Sequence, residues 1–179
     1  EKRAGMSGSV KRSDAAHGLA WDGDFDRCFY YDEDGSFIED YCLVGLIAQS
    51  TLRDEPGATI LYDPRLTWNT EDIVAKAGGR AVMCKTGHAF FKETMRAENA
   101  AYGGEMSAHH YFRSFASCDT GMLPWLAVLA ELSRTGATLR ELVDARMKAF
   151  PCSGEINFKV ESTRDAIARV EAAFAGENP

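Results

Sequence analysis

Apolar and polar positions divide the chain into alternating short and long periodic segments. Gly18-Leu-Ala-Trp21 predicts a short buried strand, and Cys28–Tyr31 a second. Asp34-Gly35 is a turn signal, and Phe37-Ile38 resumes the apolar pattern, so a hairpin is expected. Asp40 is the expected cap of a helix carrying Leu43, Leu46 and Ile47, which Pro56-Gly57 ends. Residues 58–62 then read as a strand. Thr70-Glu-Asp72 opens a helix that Gly78-Gly79 stops, 80–84 is a strand, 88–96 a helix and 100–103 a further strand.

Residues 121–134 are apolar on nearly every face, which predicts a buried helix. Asp119-Thr-Gly121 is read as its cap. Thr138 and Glu141 form a capping box for a helix reaching Phe150. Residues 155–160 are expected to be extended, and Ser162 and Asp165 to cap a last amphipathic helix with Ile167, Val170 and Phe174. The first nine or so residues, polar and weakly periodic, are expected to be a ragged end. Strands alternating with such helices imply an α/β chain: a layered α/β/α domain with a mixed sheet flanked by helices. Trp68 and Trp125 are assigned to its core, and His110 to a structural role.

The chain has 179 residues, 45% of them hydrophobic and 26% charged, which is a globular composition. No apolar run approaches the ~20 residues of a membrane span. Twenty basic residues face 27 acidic ones, net −7, and the basic ones are scattered, which disfavours nucleic acid as a partner. The five cysteines are widely spaced with no C-x-x-C pair, so they are read as reduced, mostly core residues of a cytoplasmic protein.

Two stretches carry chemistry. Asp22, Asp24 and Asp26 alternate just after a buried strand. Clustered carboxylates repel unless a cation sits among them, and hard divalent ions such as Mg²⁺ prefer oxygen ligands. Arg27 follows, and a guanidinium can grip phosphate oxygens bidentately. An EF-hand reading places Asp24, Asp26 and Glu33 acceptably but meets Arg27 where glycine is needed. A haloacid-dehalogenase-type reading is at odds with Phe25-Asp-Arg27. The second stretch, Gly103 to His110, offers a carboxylate, a hydroxyl and imidazoles on one glycine-freed turn. Glu105 with Ser107 suits adjacent sugar hydroxyls. A Ser107–His109 nucleophile pair is the alternative, without an elbow glycine pattern around it.

Asp22-Gly-Asp-Phe-Asp-Arg27 followed by Gly104-Glu-Met-Ser-Ala-His109 resembles the α-D-phosphohexomutase superfamily, in particular its bacterial phosphomannomutase/phosphoglucomutase type. Asp63-Pro-Arg-Leu-Thr67 and Lys85-Thr-Gly-His88 resemble it too. The resemblance implies a four-domain parent, with residues 1–31 ending the second domain and 32–179 forming the third, sugar-recognising one. It implies that Asp22, Asp24 and Asp26 bind Mg²⁺, that Arg27 contacts the transferred phosphate and that His109 assists proton transfer. Glu105 and Ser107 would bind sugar hydroxyls, with Arg65, Lys85 and His88 beside the substrate, and the Asp119-Thr-Gly121 segment would support the sugar loop; a plain surface lysine is the alternative for Lys85, and a capping or packing role for His88.

Ala108 stands where relatives often have Gly, and its methyl is expected to tilt the loop. A Thr-Ala-Ser-His-Asn-Pro-like catalytic serine motif and a fourth-domain phosphate loop belong to the family pattern and are not in this sequence. The implied activity is interconversion of mannose 6-phosphate and mannose 1-phosphate through a phosphoserine and a bisphosphorylated sugar. The implied partners are a phosphorylated hexose and the parent's other domains. Glucose or dual specificity, and a non-enzymatic sugar-phosphate-binding module, are the alternatives.

Overall fold

A computed structural model describes residues 2–153 and 156–177. Two sheets are present among them. The first is antiparallel: β1 (Gly18–Trp21), β2 (Cys28–Tyr31) and β3 (Phe37–Ile38) lie in that order. Its β2–β3 hairpin is the expected one, with Gly35 at φ 67° in the left-handed conformation a tight turn needs. Because β3 pairs with β2, the sheet runs on past residue 31.

The second sheet has five strands in the order β5-β4-β6-β7-β8: β4 (Thr59–Tyr62), β5 (Arg80–Met83), β6 (Tyr102–Gly104), β7 (His110–Phe112) and β8 (Cys118–Asp119). β4 pairs in parallel with β5 and β6, while β7 and β8 add antiparallel. The sheet is therefore mixed. Helices α2 (Asp40–Asp54), α3 (Thr67–Lys76) and α4 (His88–Ala97) alternate with the parallel strands. Side-chain alternation along β4 assigns the layers. Ile60 and Tyr62 join the core under α2, with Leu43, Ile47 and Tyr102, whereas Leu61 faces Phe91 and Met95 of α4. Helices α5 (Met122–Thr135) and α6 (Leu139–Ala149) pack Val128, Leu139 and Val143 onto the α2 side.

Several expectations are corrected. The supposed ragged end is helix α1 (Lys2–Ser13), held by Val10, whose side chain lies where a Cβ on Gly18 would sit. One anchor in a polar segment leaves no period to read. Helix α3 begins at Thr67 rather than Thr70. Asp40 lies inside the first turn of α2 and makes no side-chain cap. Helix α5 buries only Pro124, Val128 and Glu131, a stripe facing α2, and exposes Met122, Leu126 and Leu129.

Trp68 is 71% exposed rather than core, and Trp125 is partly buried. Among the cysteines, Cys28, Cys42 and Cys84 are buried but Cys152 is exposed; all five are free thiols. Thr138 and Glu141 form the expected capping box, and Ser162 caps α7 (Thr163–Phe174). The segment 156–160 forms no strand, and Glu155 lies outside the described residues. Helix α7 buries no residue, and Ile167, Val170 and Phe174 are all more than half exposed. Among the described residues no helix is long and apolar enough to cross a membrane.

Candidate active site

Parallel strands β4, β5 and β6 all run into loops at one end of the sheet, the carboxyl edge where open α/β sheets place ligands. Asp63 follows β4, Lys85-Thr-Gly-His88 follows β5 and the Glu105–Ser107 turn follows β6. The acidic loop reaches the same edge from the other sheet. It is the connection of the antiparallel β1–β2 pair, which removes the EF-hand reading, since no helix flanks it.

The acidic loop is held on two sides. Arg27 and His109 form an antiparallel bridge that joins it to the second loop. Gly121 donates its N–H to the Phe25 carbonyl at 3.1 Å, and the Trp21 indole donates to the Gly121 carbonyl at 2.9 Å. A Cβ on Gly121 would lie 2.7 Å from the Phe25 oxygen, so only glycine permits this approach. Phe25 takes φ 62°, the strained left-handed region, and is exposed.

Carboxylate oxygens of Asp22, Asp24 and Asp26 lie within 4.8 Å of one another. Asp22 Oδ2 sits 2.5 Å from Arg27 Nε. Partial burial pushes the Asp22 carboxyl up, but the Arg27 hydrogen bonds outweigh it and hold it below the usual carboxylate range. Asp26 Oδ1 is buried with no hydrogen-bond partner, 3.5 Å from Arg27 Nε. A buried carboxylate oxygen of this kind, beside two more carboxylates, fits a hard divalent cation.

The second loop is a turn closed by the Ala108 N–H donating to the Glu105 carbonyl at 3.2 Å, with Ala108 at φ 69°. Its methyl is fully buried, so the turn accommodates it at the cost of a left-handed backbone. Glu105, expected as a sugar reader outside the core, is 1% exposed and turned inward. Oε1 accepts from the Gly87 N–H at 2.7 Å, and Oε2 accepts from the Tyr111 hydroxyl at 2.7 Å and lies 3.4 Å from His109 Nδ1. Burial raises this carboxyl, but the bonds from His109, Tyr111 and Gly87 outweigh it and hold it low. Gly87, at φ 125°, supplies a backbone turn that other residues rarely adopt, so the Lys85–His88 segment is clamped to the second loop.

His109 lies between the loops. Nε2 is 3.4 Å from Asp26 Oδ2, and Nδ1 is 2.9 Å from Ser107 Oγ. Burial opposes its charged form, but Glu105 and Asp26 outweigh that and raise its pKa. A Ser–His nucleophile needs an imidazole that takes a proton; two carboxylates on this ring favour one already charged. Of the other candidates, the Arg65 guanidinium donates twice to Asp63, at 2.6 and 3.3 Å, and its backbone N–H once, at 2.8 Å. Lys85 is exposed, its Nζ 4.3 Å over the Phe90 ring. His88 is half exposed, its ring 4.5 Å from that of His109 in an edge-on contact.

Three organising residues make contacts that the sequence reading does not assign to them. Asp63, wholly buried, accepts from the Met106 N–H at 2.8 Å and so ties Arg65 to the second loop. Tyr111 holds Glu105. Asp119, read as a helix cap, lies in β8 and pairs with His88 and Lys92; Thr120 is the residue that accepts from the Met122 N–H. His110 is structural as expected: fully buried, 2.7 Å from the Tyr102 hydroxyl, its pKa pushed by burial down to about 3.

Residues 40–150 match the family described as phosphoglucomutase/phosphomannomutase, alpha/beta/alpha domain III, and the chain belongs to that family. The acidic loop precedes the matched span. More particular likenesses follow. The chain is 57% identical over 179 residues to a protein of Xanthomonas campestris pv. campestris named "Phosphohexose mutases", covering all of this chain and 40% of that protein. It is 57% identical over 177 residues to the phosphomannomutase of Escherichia coli strain K12, covering 99% of this chain and 39% of that one. The structure of a phosphoglucomutase/phosphomannomutase family protein from Burkholderia thailandensis superposes with a TM-score of 0.74 at 32% identity, over 84% of this chain and 32% of that one. The chain thus spans about 40% of the length of the curated relatives it matches.

Proposed function

We propose that this chain is the metal-binding and sugar-recognising part of a cytoplasmic phosphomannomutase that interconverts mannose 6-phosphate and mannose 1-phosphate. The observation that carries the reading is the Arg27–His109 bridge, which joins the carboxylate loop to the second loop at the ligand edge of the sheet. The names of the relatives supply the sugar. In this reading residues 1–31 close the second domain and 32–179 form the third. A phosphoserine donor and a bisphosphorylated sugar belong to the proposed cycle, the serine being supplied from outside these residues.

Asp22, Asp24 and Asp26 would hold Mg²⁺, which when bound offsets charge on the phosphoryl group in flight. Arg27 adds a fixed positive charge beside that group. His109, favoured in its charged form by Glu105 and Asp26, is placed to give a proton to a sugar oxygen and take it back. Ser107 offers a hydroxyl to the sugar, Arg65, Lys85 and His88 line the approach, and Glu105 holds His109 and the Gly87 turn in register.

The full-length enzyme tests this directly. It should isomerise mannose 1-phosphate with Mg²⁺ in a coupled assay, and Asp24→Asn should lower kcat/KM roughly a hundredfold. Turnover that is indifferent to both Mg²⁺ and Asp24→Asn overturns the metal assignment. A preference for glucose 1-phosphate overturns the sugar assignment alone.

A further inference from the structure

Asp119 is a carboxylate at this edge to which the function just described assigns no part. It stands in the outermost strand, β8, and its side chain is only 9% exposed. Its two oxygens are divided between two residues one turn apart on α4: Oδ2 lies 2.9 Å from His88 Nδ1, and Oδ1 lies 2.7 Å from Lys92 Nζ. His88 Nε2 makes no hydrogen bond among the described residues, and the side chain is half exposed, its ring in edge-on contact with that of His109.

His88, His109 and Asp119 also bring ligand atoms within 4.8 Å, a grouping that can hold a transition metal. The charges argue otherwise. Lys92 already supplies the positive partner of Asp119, and both nitrogens of His109 face carboxylates or Ser107. What remains is a carboxylate–imidazole pair. An ionised carboxylate only accepts, so the imidazole nitrogen that faces it must carry the hydrogen. The other nitrogen of a neutral ring then presents its lone pair. Lys92 holds the carboxylate in place: burial pushes Asp119 up, but Lys92, together with a backbone N–H and His88, outweighs it and the net direction is down.

We propose that Asp119 is a positioning residue for His88, fixing the hydrogen on Nδ1 and leaving the Nε2 lone pair to accept from a hydroxyl of the sugar phosphate. The inference rests on the placement of His88 beside the substrate. Its second consequence is mechanical. Asp119 pins the start of α4 to the far strand of the sheet, so His88 holds one position while Gly87 beneath it is held by Glu105.

Two measurements on the full-length enzyme test it. ¹⁵N shifts of the His88 ring, assigned by their loss in His88→Asn, should report a hydrogen on Nδ1 in the native protein. In Asp119→Ala, and in Asp119→Asn should the alanine variant fold poorly, that hydrogen should move to Nε2. Kinetically, His88→Asn should lower kcat/KM roughly tenfold in the native background. In the Asp119→Ala background it should cost less than about twofold more.

An unchanged tautomer in both Asp119 variants overturns the proposal, as do losses that multiply. If His88→Asn leaves kcat/KM of the otherwise native enzyme intact, the placement of His88 at the substrate fails. The tautomer arm is then still decisive for the hold of Asp119 on the ring.

Discussion

Glu105 receives hydrogen bonds from a turn after one strand and from the middle of another, and it also faces an imidazole on its own loop. Removing it leaves the Tyr111 hydroxyl and the Gly87 N–H buried without an acceptor, at about 1–3 kcal/mol each. Glu105→Ala is therefore expected to destabilise the chain by about 2–6 kcal/mol in urea unfolding as well as to lower activity. Loss of activity with an unchanged unfolding midpoint would instead favour the sugar-binding role expected of Glu105 from the sequence. The acidic triplet and Arg27 were readable because all four sit within one short loop. Asp63 and Asp119 were not, since the groups they hold lie 43 and 31 positions away. Only the folded sheet brings those groups together.

Among the elements, α2 and α5 are joined by Arg53, which donates to both oxygens of Glu131, with Arg134 at 2.9 Å from the same carboxylate. Burial raises the Glu131 carboxyl, but the Arg53 and Arg134 bonds outweigh it and bring it from 4.5 down to about 2. The folded state thus binds this proton less readily than the unfolded chain. The pair's contribution is complete above about pH 4.5 and is lost as pH falls toward 2. That gap corresponds to on the order of 3 kcal/mol at neutral pH. Urea midpoints of the native chain and Glu131→Gln should differ most at pH 7 and converge as pH falls toward 2; a constant difference would contradict the pairing. The long helices and the parallel strands were legible from periodicity. β7 and β8, three and two residues long, were missed because a period of two needs more positions to show. The apolar face of α5 was overread, since composition gives apolarity but not which stripe meets a partner.

For the whole molecule, the proposed cycle assigns residues 1–179 a metal-binding loop and a sugar-facing loop and takes its phosphoryl donor from outside them. Holding reactants together is worth about 7–11 kcal/mol, and without the donor that gain is absent. Residues 1–179 alone are expected to show no mutase turnover in a coupled assay; turnover above background, abolished by Ser107→Ala, would make them a self-contained enzyme. The central claim is that the two loops form one site through the Arg27–His109 bridge. Amide shifts of residues 1–179, titrated with mannose 1-phosphate in the presence of Mg²⁺, test it most directly. The account predicts that residues 22–27 and 104–109 respond together along one binding curve. A response confined to either loop, or two loops saturating at unrelated concentrations, would contradict it.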